Sequence, residues 1–419
     1  MDGMPLAYAL RLTAWHKPET IIPVFKLIIQ METAYLNRTS RILAGHLWVF
    51  SNELAVSPKK FKPGSLVELR DRKENFLGIG YINPASLIAI RILTREREEI
   101  DEGFFKKRIN DAMSLRRRLI DEKTRDAFRA LYSESDLVPG LIVDKYSGVV
   151  SIQLLTLGIE TFRDTIIKTV DEVLSPEAIV LRNDSSARTL EGLPLGKELV
   201  KGSLEKLPVI NEGGIRLEVD PLGGQKTGFF LDQAENRMAF SALTGKGTAL
   251  DLFSYSGAWA LHMAGKGADV TIVDSSAAAL KQAERNFEIN GLKGRSAFIK
   301  EDVFDFLKAE AGKGRSYDYI ALDPPAFVKG RSNLKAGARA YREINTLAMR
   351  LLKKGGLLAT SSCSFHVKRE DFLDILRSAS RDAGSAMRII ETRPQAKDHP
   401  VYLPMPETEY LKCVILERF

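Results

Sequence analysis

At 419 residues the chain is too long for one ordinary hydrophobic core, so two or three domains are expected. Hydrophobic residues at 44% beside 27% charged ones read as a soluble globular protein, and 61 Lys plus Arg against 54 Asp plus Glu, net +7, lean toward an anionic partner. Two cysteines, Cys363 and Cys413, exclude a disulfide framework and point to a reducing cytoplasm.

The first stretch holds one apolar run, Ile21 to Ile29, which Pro23 and Lys26 interrupt, so it is too short and too broken to cross a bilayer. There is no basic n-region and no small-residue cleavage site behind an apolar core, so no secretory signal and no membrane association are expected. Residues 1–30 read as an extension, and the native start is expected at Met31, where the segment becomes more regular. N-terminal sequencing of native protein checks this.

From Leu36 to about Arg97 short strands alternate with turn residues: Pro63-Gly64, Leu66 to Leu69, Gly78 to Tyr81, Asn83-Pro84 and Leu87 to Leu93. This predicts a small β-barrel-like module over 31–103. Its opening, Ser40 to Phe50, resembles the start of a PUA domain, and that resemblance implies RNA contact by Arg41, His46 and Trp48. A core strand flanked by a basic residue explains the same composition equally well.

Phe104 to Glu122 predicts an amphipathic helix with Phe105, Ile109, Ala112, Leu115 and Leu119 on its apolar stripe. Lys106-Lys107-Arg108 and Arg116-Arg117-Arg118 fall mainly off that stripe, where they either track a phosphate backbone or form a solvated face. Residues 104–205 read as a central α+β module: a hairpin from Gly140–Asp144 and Val149–Leu155, a helix over Ile159–Val173 and a strand over Ala178–Arg182. No residue of it carries the chemistry of a site, and it is expected to be a spacer or an RNA-shaping module.

The stretch from 206 onward alternates strands and helices. Gly224 to Gln233 places the aromatic pair Phe229-Phe230 ahead of the first strand, where the rings can cover a cofactor; an ordinary helix entry capped by Asp232 uses the same residues. Thr248–Leu252 then reads as a strand, Phe253-Ser254-Tyr255-Ser256-Gly257 as a tight turn, Ala258–Gly265 as a helix and Val270–Val273 as a strand closed by Asp274. The turn has neither the G-x-G-x-x-G spacing of dinucleotide binders nor a phosphate-cradling loop. A nucleoside with a cationic tail, S-adenosylmethionine, fits it better, with the acidic groups Asp251, Asp274 and Asp302 set in successive β-α junctions along the ligand. Each of these alone is commonly a cap or turn residue. No metal ligands are expected.

Asp323-Pro324-Pro325-Ala326-Phe327 follows the fourth strand, and its two prolines hold the turn rigid so that the carboxylate and the Phe327 ring are fixed near the reacting methyl. This arrangement suits a methyltransferase acting on a base. Ser362-Cys363-Ser364 ends the fifth strand. Cytosine C5 becomes nucleophilic only when a thiolate adds to C6, so a pocket cysteine favours C5 methylation, whereas an exocyclic amine needs none. A buried cysteine is also often just a small apolar residue.

These segments together resemble the bacterial large-subunit rRNA cytosine-C5 methyltransferase I family. The match rests on Gly45-His46 with Trp48-Val49-Phe50, Glu134-Ser135-Asp136, Lys226-Thr227-Gly228, the turn at Phe253 to Gly257, Asp323-Pro324-Pro325, Ser362-Cys363-Ser364 and Asp398-His399-Pro400. The resemblance implies a class I (Rossmann-like) methyltransferase domain with a seven-strand sheet over 206–419, a cytoplasmic enzyme and S-adenosylmethionine as cofactor. It further implies Cys363 as nucleophile with Asp323 at its side, 23S rRNA or a large-subunit precursor as partner, and Pro324, Pro325 and Phe327 at the substrate. The chain departs from the family where Leu47 replaces a usual Pro. An amino-group methyltransferase of guanine or adenine, a non-catalytic ribosome-assembly factor and a homodimer all stay open at this stage.

Overall fold

The computed structural model describes residues 31–328 and 330–419; the readings of the segment before Met31 lie outside them. Five strands, Glu32–Leu36, Trp48–Phe50, Leu66–Asp71, Phe76–Ile82 and Ile88–Thr94, form the first sheet, with the opening strand parallel to the third and all other pairs antiparallel. A bridge from Leu36 to Leu54 brings the opening strand back to the segment after the second, so the sheet curls toward a barrel. Val49, Val67, Leu69, Ile90 and Ile92 fill it together with Met405, from the far end of the chain. Gly45, at φ +103°, lets this module approach the C-terminal segment: a Cβ there would lie 2.7 Å from Pro404 Cγ.

The central sheet runs in chain order, Ala127–Tyr132, Leu141–Tyr146, Val149–Leu154, Ala178–Asn183 and Gly196–Lys201, with one parallel pair where the helix Arg163–Leu174 crosses over. The long helix spans Glu102–Leu119, its Asp101 accepting a cap bond from Phe104 N. It buries Met113 and Arg116 instead of the expected Leu115 and Leu119, because it packs against both the sheet and the crossover helix. The helix expected over 159–173 is two, Leu157–Glu160 and Arg163–Leu174.

The basic runs on the long helix are largely consumed internally. Arg116 is fully buried, bidentate to Asp136 at 2.6 and 2.7 Å and bonded to Asp398 O; Lys106 pairs with Glu172, and Arg108 donates to Leu93 O. Lys107, Arg117 and Arg118 stay exposed.

In the C-terminal sheet we label β1 (Gly247–Leu252), α1 (Ala258–Ala264), β2 (Ala268–Asp274), α2 (Ala277–Ile289), β3 (Ser296–Lys300), α3 (Val303–Gly312), β4 (Tyr317–Leu322), α4 (Leu334–Leu351), β5 (Leu352–Ser362), α5 (Arg369–Ala383), β6 (Met387–Arg393) and β7 (Lys412–Arg418). The order is β3-β2-β1-β4-β5-β7-β6, with β7 antiparallel to both neighbours. Ala249, Leu250 and Leu252 of β1 are fully buried because helices cover both faces, which is why the strand reads as a nearly continuous apolar run. The chain reverses direction across the sheet between β1 and β4. Ligands bind outside the carboxyl ends of strands at such a switch point.

Candidate active site and cofactor cavity

A cavity of ≈ 220 Å³ opens at the carboxyl ends of β1, β2, β4 and β5 beneath the 225–233 loop. The turn after β1 forms its floor, and it is held in an unusual shape: Phe253 (φ +60°), Tyr255 (+49°) and Gly257 (+76°) are all left-handed. At Gly257 a Cβ would also meet Ala283 Cβ at 3.0 Å. Asp274 secures the turn, Oδ2 accepting from Tyr255 N at 2.9 Å and Oδ1 from Ser276 N at 2.8 Å. The Ser254 and Ser256 hydroxyls are buried against the cavity without a hydrogen-bond partner among the described residues, so they offer donor and acceptor groups to it. Phe229 packs over the same space with the Arg237 guanidinium 4.8 Å from its ring centre, and Phe230 meets Tyr255 edge-on at 5.4 Å. An aromatic, hydroxyl-lined cavity with the carboxylates of Asp232, Asp274 and Asp323 on its lining fits a nucleoside carrying a cationic tail.

Of the three carboxylates expected along the ligand, only Asp274 reaches the wall. Asp251 lies one residue before the end of β1, so strand alternation turns it under the floor, where Oδ2 accepts from Ala260 N at 2.9 Å. Its Oδ1 has no hydrogen-bond partner among the described residues, and burial pushes this carboxyl up to about 8. Asp302 is exposed beyond β3, where Oδ1 caps α3 by accepting from Phe304 N and Asp305 N.

The two residues expected to carry the chemistry, Asp323 and Cys363, are brought together. Asp323, Pro324, Pro325 and Cys363 share one wall. Asp323 Oδ1 accepts from Gln233 Nε2 at 2.9 Å and Oδ2 from Trp259 Nε1 at 3.3 Å, while burial pushes its carboxyl above the usual range. Phe327 turns behind the wall, its ring tilted against Tyr341 at 4.8 Å and edge-on to Phe253 at 6.4 Å; it supports the cavity without lining it. Cys363 sits between the buried Ser362 and Ser364, and burial pushes its thiol up to about 11. Cys413, opposite Ser361 on β7, is buried in the core.

Arg41, His46 and Trp48 lie elsewhere and are engaged inside the protein. Arg41 donates to Trp48 O at 2.9 Å, His46 Nε2 lies 3.5 Å from Glu407, and Trp48 Nε1 donates to Glu134 at 2.9 Å. His46 and Trp48 thus join the first sheet to the rest of the chain, while Arg41 bonds within its own module and its side chain stays 40% exposed. Asp232 does not cap a helix; it is a buried acceptor for Lys226 Nζ and Tyr410 OH. Among the cavity residues not foreseen are Lys226, Gln233 and Trp259. The first two bracket the Gly-framed aromatic pair, and the third follows Gly257 by two positions. Among the described residues no helix is long and apolar enough to cross a membrane, and no group of three or more His, Cys, Asp or Glu could hold a metal ion.

Residues 37–95 match the family model of a PUA-like domain and residues 182–406 that of an S-adenosylmethionine-dependent methyltransferase. The chain is 38% identical over 379 residues, 90% of its length and 95% of the relative's, to ribosomal RNA large subunit methyltransferase I of Klebsiella pneumoniae. It is 40% identical to the protein of that name from Shewanella amazonensis, over 88% of this chain and 94% of the other. The chain belongs to the ribosomal RNA large subunit methyltransferase I family. Its fold is shared by a putative S-adenosylmethionine-dependent methyltransferase from Streptococcus mutans, with a TM-score of 0.79 at 20% identity over 92% of this chain and 100% of that one. A putative methyltransferase complexed with SAH gives a TM-score of 0.80 at 20% identity, over 92% and 99%. As a member of the methyltransferase I family the chain takes S-adenosylmethionine, and Ser254, Tyr255, Asp274 and Phe229, expected at the cofactor, all line this cavity.

Asp251 carries a testable penalty. An acid whose folded pKa stands near 8 is protonated in the fold while it is ionised in the unfolded chain, so this group's contribution to stability falls as pH rises from about 4 to 8. Asp251→Asn keeps the bond to Ala260 N–H and removes the charge. The variant is expected to melt higher than wild type at pH 7–8, by roughly 2–4 °C per kcal/mol recovered, with the gap closing toward pH 4. Thermal melts across that range check it.

Proposed function

We propose that this protein methylates C5 of a cytosine in 23S rRNA, on the mature molecule or a large-subunit precursor, through a covalent adduct with Cys363. The observation that carries this reading is the thiol of Cys363 on the same cavity wall as Asp323, facing the turn that holds the cofactor. The target base leaves its stack to enter the cavity. Cys363 loses its proton and adds to C6, and Asp323 stabilises the adduct through N3–H or the amino group, held for this by Gln233 and Trp259. S-adenosylmethionine, when bound, supplies the methyl group as an electrophile. Loss of the C5 proton and of the C6–S bond then frees Cys363.

One observation favours a second reading. Burial opposes ionisation of the Cys363 thiol, and Asp323-Pro324-Pro325 suits transfer to an exocyclic amine. Mass-spectrometric mapping of methylated nucleosides in rRNA from a deletion strain separates the two: a missing 5-methylcytosine restored by the wild-type gene supports C5, and a missing N-methyl purine overturns it. In this reading the protein works in the cytoplasm, and the three larger sheets correspond to an RNA-binding module over 31–103, a central module over 104–205 and the catalytic domain over 206–419.

The exposed cations left on the long helix, Lys107, Arg117 and Arg118, are the part of the basic runs free to meet phosphate. Reversing all three to Glu is expected to weaken binding of an rRNA fragment. The slope of log affinity against log salt should shrink by about 2–3, because each phosphate contact contributes roughly 0.7–0.9 through counterion release. Filter binding at several salt concentrations measures it, and an unchanged slope removes this face from the substrate path.

A further inference from the structure

We infer that Lys226 is a catalytic residue, the cation that pairs with the Cys363 thiolate across the cavity, and that Asp144 and Tyr146 of the central sheet position it through Thr227. This rests on Cys363 being the nucleophile.

Lys226 holds a left-handed backbone, φ +51°, which a side-chain-bearing residue keeps only when its surroundings impose it. The surroundings here are unusually firm and come from another module. Thr227 Oγ1 donates to Asp144 Oδ2 at 2.5 Å and lies 2.8 Å from Tyr146 OH, which also accepts from Phe229 N at 3.3 Å. Asp144 is itself gripped by Arg129 at 2.8 and 2.9 Å. Upstream, Arg182 donates to Pro221 O at 2.7 Å and to Gly224 O at 2.8 Å. The loop is thus clamped on both sides of one residue whose side chain stays 39% exposed, while Thr227 beside it is 1% exposed. The central module is therefore part of the active-site scaffold, contrary to the expectation of a spacer.

The Lys226 ammonium lies 4.4 Å from the Phe230 ring centre and donates to Asp232 at 2.7 Å, its one hydrogen-bond partner among the described residues. Asp232 also accepts from Tyr410 OH at 2.6 Å, which fixes the acceptor in place. Cys363 lines the cavity together with Lys226 and Asp232 from the loop and Asp323 after β4, and the Tyr341 phenol of α4 and Lys412 of β7 also act on its charge. The carboxylates and burial oppose the thiolate, and the two lysines favour it. Lys412 Nζ is committed to Ser364 O and Tyr410 O behind the wall, and Arg237, which also lines the cavity, is bidentate to Glu212. Lys226, which lines the cavity with Cys363 and has a single half-exposed ion pair, to Asp232, to exchange, is the cation we assign to sulfur. When the thiol ionises, its proton goes to water and the negative charge stays on Sγ.

The test is the rate of iodoacetamide alkylation of Cys363 in the full-length protein, read from the Cys363 peptide by mass spectrometry between pH 7 and 9.5. Lys226→Met is expected to react about three- to tenfold more slowly than wild type at every pH, since a higher thiol pKa lowers the thiolate fraction and only partly compensates in nucleophilicity. Lys226→Arg should match wild type, and Thr227→Val should slow in the same direction. Wild-type rates in Lys226→Met overturn the pairing; wild-type rates in Thr227→Val overturn the positioning. Protection of buried Cys413 reports an intact fold, and should Lys226→Met expose it, Lys226→Gln supplies the same comparison. The readout involves no RNA, so a methyl found on an exocyclic nitrogen would sink the C5 reading and leave the thiolate pairing to be decided by alkylation.

Discussion

Cys363→Ala abolishes methyl transfer while S-adenosylmethionine still binds with nearly unchanged affinity: this is the expected result, because the thiolate supplies the electron density that C5 lacks and its side chain holds none of the groups assigned to the cofactor. Without addition at C6 the base stays aromatic and C5 cannot displace the methyl. RNA carrying 5-fluorocytosine at the target sharpens the test. Fluorine at C5 cannot leave as a proton, so wild type should remain covalently attached after transfer and run as a shifted band on a denaturing gel, whereas Cys363→Ala should not. Cys413→Ala should form the band as wild type does, since Cys413 is a core position 1% exposed on β7. Full activity in Cys363→Ala, with the methyl on an exocyclic nitrogen, would move the assignment to the amino-group reaction.

Asp274→Ala should weaken S-adenosylmethionine binding at least tenfold. Two effects add. The carboxylate is placed to accept from ribose hydroxyls, and hydrogen bonds to a charged acceptor are worth about 1.5–3 kcal/mol each before water compensates. It also accepts from Tyr255 N and Ser276 N, so its removal releases the strained turn that carries Ser254 and Tyr255. Asp302→Ala is the matched comparison: Asp302 caps α3 outside the cavity, and its loss should lower stability by about 0.5–2 kcal/mol with little change in affinity. Calorimetric titration of the two variants decides the matter. Wild-type affinity in Asp274→Ala would remove Asp274 from the ribose site, and an equal loss in both variants would bring Asp302 back to the ligand.

The βα alternation from β1 to β7 was legible in the sequence because it depends on local periodicity: apolar runs of strand length, amphipathic helices between them, and Gly or Pro at the joints. The same local logic placed Asp274, Asp323 and Cys363 at strand ends, and in a parallel sheet those ends converge on one cavity. A residue's direction at a junction was less legible. Asp251 and Asp274 look equivalent in the chain, yet a one-residue difference in distance from the strand end sends one beneath the floor and the other to the wall. Asp302 lies two residues beyond β3 and is captured by the free amides of α3.

Sequence by itself thus determined the class of fold, the cofactor turn and the cysteine beside the Asp-Pro-Pro segment. Only the tertiary structure decided which charges are spent inside the protein and which remain for chemistry. Arg116 sits in a basic run and is consumed by Asp136 and Asp398 O; Trp48 is consumed by Glu134; Thr227, in a loop next to the cofactor, is held by Asp144 of another sheet. The partners in these pairs lie from 20 to 282 positions apart, beyond the reach of any periodic pattern, and a buried charge must find its counter-group wherever folding brings one within hydrogen-bond distance.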